Sequence, residues 1–138
     1  MKQPANLSRI TRDAIQIWQA GVDAVRADCV VKREVRVDRY TLSVQGETWE
    51  LDPKGRLIVV GAGKATFGMA KGMEAALEDI ASQIECIGWI NVPEGTAIEP
   101  LDRRIHVCEA RPLGANEPTP LVMEGTQRIL EMVADAGP

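Results

Sequence analysis

The chain has one histidine, His106, and three cysteines, Cys29, Cys86 and Cys108, with no C-x-x-C pair among them. That scarcity excludes a zinc site of the standard type, which needs several thiolate or imidazole ligands at short spacings. An odd cysteine count without a spacing pattern also argues against a disulfide framework. The three read instead as buried, unlinked thiols of a protein in a reducing cytosol. Nor is there an excess of positive charge: 16 Lys and Arg stand against 20 Asp and Glu, for a net charge of −4. Nucleic acid and anionic membrane are therefore excluded as the main partner. No apolar run approaches the ~18 residues of a membrane span, and Met1–Asp13 contains no signal-peptide core. What remains is 138 residues that are 45% apolar and 26% charged, the composition of one globular domain with its own core.

The chain contains no internal repeat and no low-complexity stretch. Ser8 followed by Ile10, Ala14, Ile17, Trp18, Gly21, Val22 and Val25 has helical spacing, so an amphipathic helix over 8–27 is predicted, packed by its apolar face. Val31, Arg33, Val35 and Val37, then Tyr40, Leu42 and Val44, alternate with polar residues at period 2. With turns at Gln45–Gly46 and Asp52–Gly55, they predict an antiparallel ribbon with one wet face.

From Arg56 the pattern changes. Leu57–Gly61, Cys86–Val92 and Ile105–Glu109 are short continuous apolar runs, as in strands covered on both faces. Helical patterns near 65–81, with Met69 and Met73 as core, and near 119–135 alternate with them. This βαβ order predicts a three-layer α/β/α, Rossmann-like domain with a mainly parallel sheet and the antiparallel ribbon N-terminal to it.

Chemistry concentrates at the first strand-to-helix junction, Gly61-Ala62-Gly63-Lys64-Ala65. A glycine turn after a parallel strand aims backbone N–H groups and a helix N-terminus at one point, where an anion is favoured. Lys64 adds a compact positive charge there. The loop is not a phosphate-binding G-x-x-x-x-G-K-[ST] motif, because Ile58 stands where the first glycine belongs and Ala65 follows the lysine. It is not a G-x-G-x-x-G dinucleotide fingerprint either, because the third glycine, Gly68, comes two positions late. A turn that only lets strand and helix pack is the bland alternative. Arg111 and Asn116, after the third strand, lie on the same side of the predicted sheet and are candidate substrate or phosphate contacts. Glu109 is either an orienting partner of Lys64 or a turn partner, and His106 is a mid-strand residue without a catalytic role.

The stretch Val60-Gly61-Ala62-Gly63-Lys64-Ala65 with Gly68-Met69-Ala70 resembles the N-terminal domain of the class II glycerate kinases, a family also labelled hydroxypyruvate reductases. The resemblance continues through Ala24-Val25, the strand exit Gly88-Trp89-Ile90-Asn91-Val92-Pro93-Glu94-Gly95, and Glu109-Ala110-Arg111-Pro112 into the last helix, covering nearly the whole chain. One departure stands out: Arg111 occupies a place where many members have histidine, so no role of that histidine carries over.

The resemblance implies ATP-dependent phosphoryl transfer to D-glycerate, with ATP and magnesium used by the complete enzyme and no metal site within this chain. It implies Lys64 as the catalytic residue and Gly61, Ala62, Gly63, Ala65, Arg111 and Asn116 as the substrate- or phosphate-binding set. Residues 1–138 match about the first third of such an enzyme. They are expected to be inactive alone, with an open sheet edge that favours a homodimer or association with the C-terminal part. Two alternatives stand beside this reading: a non-catalytic binding or interaction module of the same fold, and a nucleotide-dependent hydroxypyruvate reductase domain.

Overall fold

Two sheets account for the strands, and the break between them falls where the sequence changes character. The computed structural model describes residues 8–80, 83–97, 99–102 and 104–136. Helix α1 (Arg9–Ala24) starts at Ser8, whose Oγ accepts the Thr11 N–H at 3.2 Å. Helix α2 (Ala27–Glu34) follows after a short break. Strands β1 (Val35–Asp38), β2 (Thr41–Val44) and β3 (Glu47–Glu50) then form the expected antiparallel ribbon, with Val35 opposite Val44 and Leu42 opposite Trp49. Its second turn places both Gln45 (φ 52°) and Gly46 (φ 90°) in the left-handed region, the backbone a two-residue hairpin requires.

Two expectations fail in this first third. The helix predicted over 8–27 ends at Ala24, and the residues from Ala27 to Glu34, including the expected strand residues Val31 and Arg33, are helical. Tertiary packing overrides the period-2 pattern. Gly72 of the next helix lets α2 approach so closely that a Cβ there would lie 2.6 Å from the Asp28 carbonyl oxygen and 2.8 Å from the Val31 Cβ. The second failure concerns α1, which was expected to bury its apolar face. None of its residues is buried, and Ile17, Trp18 and Val25 are mostly exposed.

The second sheet is parallel, in the order β4 (Arg56–Ala62), β5 (Glu85–Pro93), β6 (Arg104–Arg111). Each strand matches its predicted run to within two residues, because continuous β-branched runs flanked by breakers leave little choice. Helix α3 (Thr66–Ala76) and a single 3₁₀ turn (Glu78–Ile80) connect β4 to β5, and α4 (Pro120–Ala134) follows β6. Thr119 caps α4: its Oγ1 accepts the Val122 N–H at 3.2 Å and donates to the Ala110 carbonyl at 2.7 Å.

Alternation along β5 separates the layers. Ile90 and Val92 enter the core with Phe67, Ala70 and Leu77 of the α3 side, whereas Asn91 between them turns to the opposite face and meets α4. The architecture is thus the expected three-layer α/β/α, Rossmann-like arrangement. Met69 is half exposed and contributes little to the core, which takes Phe67 and Ala70 from α3 instead; Met73 packs against its edge. No helix among the described residues is long and apolar enough to cross a membrane.

None of the cysteines forms a disulfide, and Cys86 and Cys108 are buried in β5 and β6. Cys29 departs from the expectation, because it lies on the exposed side of α2. Burial, reinforced by the Glu124 carboxylate, holds the Cys108 thiol above its ordinary pKa and therefore in the unreactive protonated form at pH 8. A thiol titration at pH 8 should accordingly show one fast-reacting group, lost in Cys29→Ser, with Cys108 reacting only on unfolding. A second fast group that disappears in Cys108→Ser would contradict the burial argument.

Candidate functional site

Strand β4 delivers the chain to the carboxyl edge of the parallel sheet at Gly61–Ala62, and α3 begins four residues later. Gly61 is required by proximity, since a Cβ there would stand 2.6 Å from the Thr66 Cγ2. Gly63 is required by backbone conformation, with φ of +122°. Its N–H donates to the Asn91 carbonyl at 3.0 Å and its own carbonyl accepts the Thr66 N–H at 3.3 Å, so the turn is tied to β5 on one side and to α3 on the other. Ala65 occupies the N-cap position of α3 and has no side chain that could satisfy the first-turn amides. The N-terminus of α3 is therefore uncapped beside an exposed lysine. Lys64 makes no hydrogen bond or ion pair with any other described residue. An uncapped helix N-terminus and an exposed lysine are thus adjacent in the chain, and each favours an anion nearby.

Next to the turn lies an open pocket of about 170 Å³. Its lining includes Ala62 and Gly63, then Val92, Pro93 and Ala110, and Val122 and Thr126 of α4. Asn91 and Arg111 supply its other polar groups. Arg111 thus sits on the same pocket as Gly63, and its backbone carbonyl is held by the Glu94 N–H at 2.8 Å. Lys64, Ala65 and Asn116 are not among the pocket walls. Lys64 and Ala65 stand just beyond Gly63, whereas Asn116 is exposed in the loop that leads to α4. Glu109 follows its turn-partner reading: its Oε1 accepts the Ala97 N–H at 3.1 Å. His106 is exposed and stacks on Trp89, with ring centroids 4.0 Å apart.

Sequence reasoning passed over Asn91. It is 5% exposed, one polar side chain in an apolar strand, and it organises the centre of the site. Its Oδ1 accepts the Trp89 Nε1–H at 3.0 Å, its Nδ2 donates to the Val122 carbonyl at 3.4 Å, and its main-chain carbonyl holds Gly63. Gly125 of α4 packs directly over it, where a Cβ would come within 2.1 Å of the Asn91 Oδ1. The available signal was a polar residue within a predicted two-face-buried strand, which must find partners once inside. Among the described residues there is no group of three or more His, Cys, Asp or Glu that could hold a metal ion.

Residues 13–138 match the family model described as Domain of unknown function (DUF4147). The chain belongs to the DUF4147 family. Domains of this family form the N-terminal domain of glycerate kinase- and MOFRL-like proteins. No curated protein matches the chain. Among solved structures, the PH0495 protein from Pyrococcus horikoshii OT3 is similar, with a TM-score of 0.69 at 25% sequence identity. The match covers 95% of this DUF4147 chain and 27% of the archaeal one, so the chain spans about a quarter of that protein's length.

Proposed function

We propose that this DUF4147 domain supplies the anion-binding side of a glycerate kinase-like phosphotransferase. The observation that carries the reading is the turn Gly61–Ala65, where a left-handed glycine fastened to β5 leads into an uncapped helix N-terminus next to Lys64, an exposed lysine with no partner among the described residues. In transfer from ATP to D-glycerate, a substrate hydroxyl oxygen bonds to the γ-phosphorus as the bond to the ADP oxygen breaks; ADP leaves and the hydroxyl proton is released to solvent. Charge spreads over the phosphoryl oxygens in that transition state, and a fixed cation with converging N–H groups stabilises it without reorganising. Lys64 and the amides around Ala65 serve that role, or hold the glycerate carboxylate. Arg111, on the neighbouring pocket, provides a second cation for the same two anionic substrates. Among the described residues there is no carboxylate-rich cluster to hold the magnesium used in nucleotide phosphoryl transfer.

In-line transfer also demands that two substrates be positioned together. Two cations and one amide turn do not accomplish that, so the 138-residue chain is expected to bind anions without turning over. In an assay with ATP, Mg²⁺ and D-glycerate it should form no phosphoglycerate. Titration with inorganic phosphate should move the backbone amide resonances of Lys64 and Ala65. Multiple turnovers by the purified chain would refute the first expectation, and unmoved resonances at both residues would remove the basis of the second. The alternative of a binding module without chemistry predicts the same phosphate response but no effect of Lys64 on catalysis, which the Lys64→Ala experiment below decides.

A further inference from the structure

Asn91 has more hydrogen-bonding capacity than its neighbours use. A carboxamide offers two N–H donors and two lone pairs on oxygen. Here one donor goes to the Val122 carbonyl at 3.4 Å, a long bond, and one lone pair receives the Trp89 Nε1–H at 3.0 Å. One N–H and one lone pair remain, on a side chain 95% buried that lines the pocket beside Gly63. The pocket's other walls are mostly aliphatic: Val92, Pro93, Ala110 and Val122 offer nothing to a polar ligand through their side chains. The Thr126 hydroxyl gives its one hydrogen to the Val122 carbonyl at 2.8 Å and can offer a ligand only an acceptor. Among the side chains lining the pocket, Asn91 is thus the neutral one that keeps a spare N–H donor, and Arg111 is the basic one. Gly125 preserves Asn91 in this place, because any larger residue there would collide with its carboxamide.

We infer that Asn91 is the specificity-determining residue of this pocket, and that its carboxamide hydrogen-bonds an uncharged hydroxyl of a small carboxylate or phosphate ester whose anionic end faces Arg111. A volume of about 170 Å³ admits a ligand of a few heavy atoms and is too small to enclose a nucleotide. A site built to satisfy a hydroxyl discriminates strongly against an analogue that lacks it, because the carboxamide is then desolvated without a partner. This assignment deepens the anion-site reading above and rests on it. It gives the neutral half of recognition to Asn91 rather than to Asn116, which lies outside the pocket.

The experiment uses the 138-residue chain and three probes: D-glycerate, lactate and 3-hydroxypropionate, the last two each lacking one hydroxyl. Binding followed by amide resonances should favour D-glycerate over the weaker deoxy analogue by 10-fold or more. In Asn91→Leu that ratio should fall below 3-fold, with the deoxy analogue's affinity nearly unchanged. A second measurement covers the case in which Asn91→Leu loses its fold. In the wild-type chain, the Asn91 side-chain NH₂ resonances should shift with D-glycerate and stay in place with the weaker analogue. Unaltered discrimination in a folded Asn91→Leu overturns the assignment, as do unmoved Asn91 NH₂ resonances while Arg111 responds. If phosphate perturbs Lys64 but no hydroxy acid perturbs the pocket, the Asn91 assignment falls while the anion turn stands. If neither responds, both fall.

Discussion

Lys64→Ala, in a polypeptide that carries the complete site, is expected to lower kcat/KM for D-glycerate by on the order of 10²–10³, a loss of about 3–4 kcal/mol of transition-state stabilisation. The size follows from preorganisation. Lys64 stands one residue past a turn whose glycine is tied to β5 at 3.0 Å, so its backbone is anchored at the junction where the charge would develop. It is exposed and has no partner among the described residues, so the fold does not use it. A cation at a helix N-terminus is in fact mildly unfavourable, so Lys64→Ala should leave the melting temperature unchanged or slightly raised. The combination of intact stability and crippled rate separates a functional lysine from a solvated one. Lys64→Arg should recover only part of the rate, because a guanidinium keeps the charge but spreads it over a planar fork. A loss below about 5-fold in Lys64→Ala, under ~1 kcal/mol, would end the proposal.

Gly88→Ala should have the largest effect on stability. Gly88 sits in the middle of β5 opposite Val59, and an added Cβ would lie 2.1 Å from the Val59 carbonyl oxygen. That oxygen belongs to the backbone, so no rotamer change relieves the clash; β4 and β5 must separate where the parallel sheet is most buried. The expected cost is about 3 kcal/mol or more, a large part of the roughly 5–15 kcal/mol that holds a domain together. Gly21→Ala is the control. An added Cβ in α1 meets nothing within 4 Å, and removing a helical glycine should stabilise by about 0.5–1 kcal/mol. Urea unfolding of both variants measures the contrast, and a Gly88→Ala chain as stable as wild type would show that the two strands are not packed this closely.

The parallel half of the domain was legible because its strands announce themselves. Ile58-Val59-Val60 and Ile87-Gly88-Trp89-Ile90 are too apolar for a one-sided sheet and too short for free-standing helices, and the Gly61–Gly63 turn between strand and helix admits few backbones. The hairpin at Gln45–Gly46 was equally plain from turn chemistry. Ala27–Glu34 was not legible, because its valines satisfy period 2 as well as a short helix does. The choice was made by Gly68 and Gly72 on α3, more than thirty residues away in sequence, which open the space that α2 fills. The face of α1 could be read as apolar, but what it meets is no property of the segment itself.

The candidate site divides in the same way. Local sequence determined the glycine turn, the helix start and the position of Lys64, since these depend on residues adjacent in the chain. Only tertiary structure brought Arg111 to the pocket beside Gly63, left Asn116 in the exposed loop, and set Asn91 beneath α4 with Gly125 over it. The physical reason lies in the parallel sheet. Its register sets Ala62 opposite Asn91 and Asn91 opposite Cys108, joining segments 29 and 17 residues apart that share no local pattern. A buried carboxamide becomes recognisable as a reader of ligands only when the apolar walls around it are known.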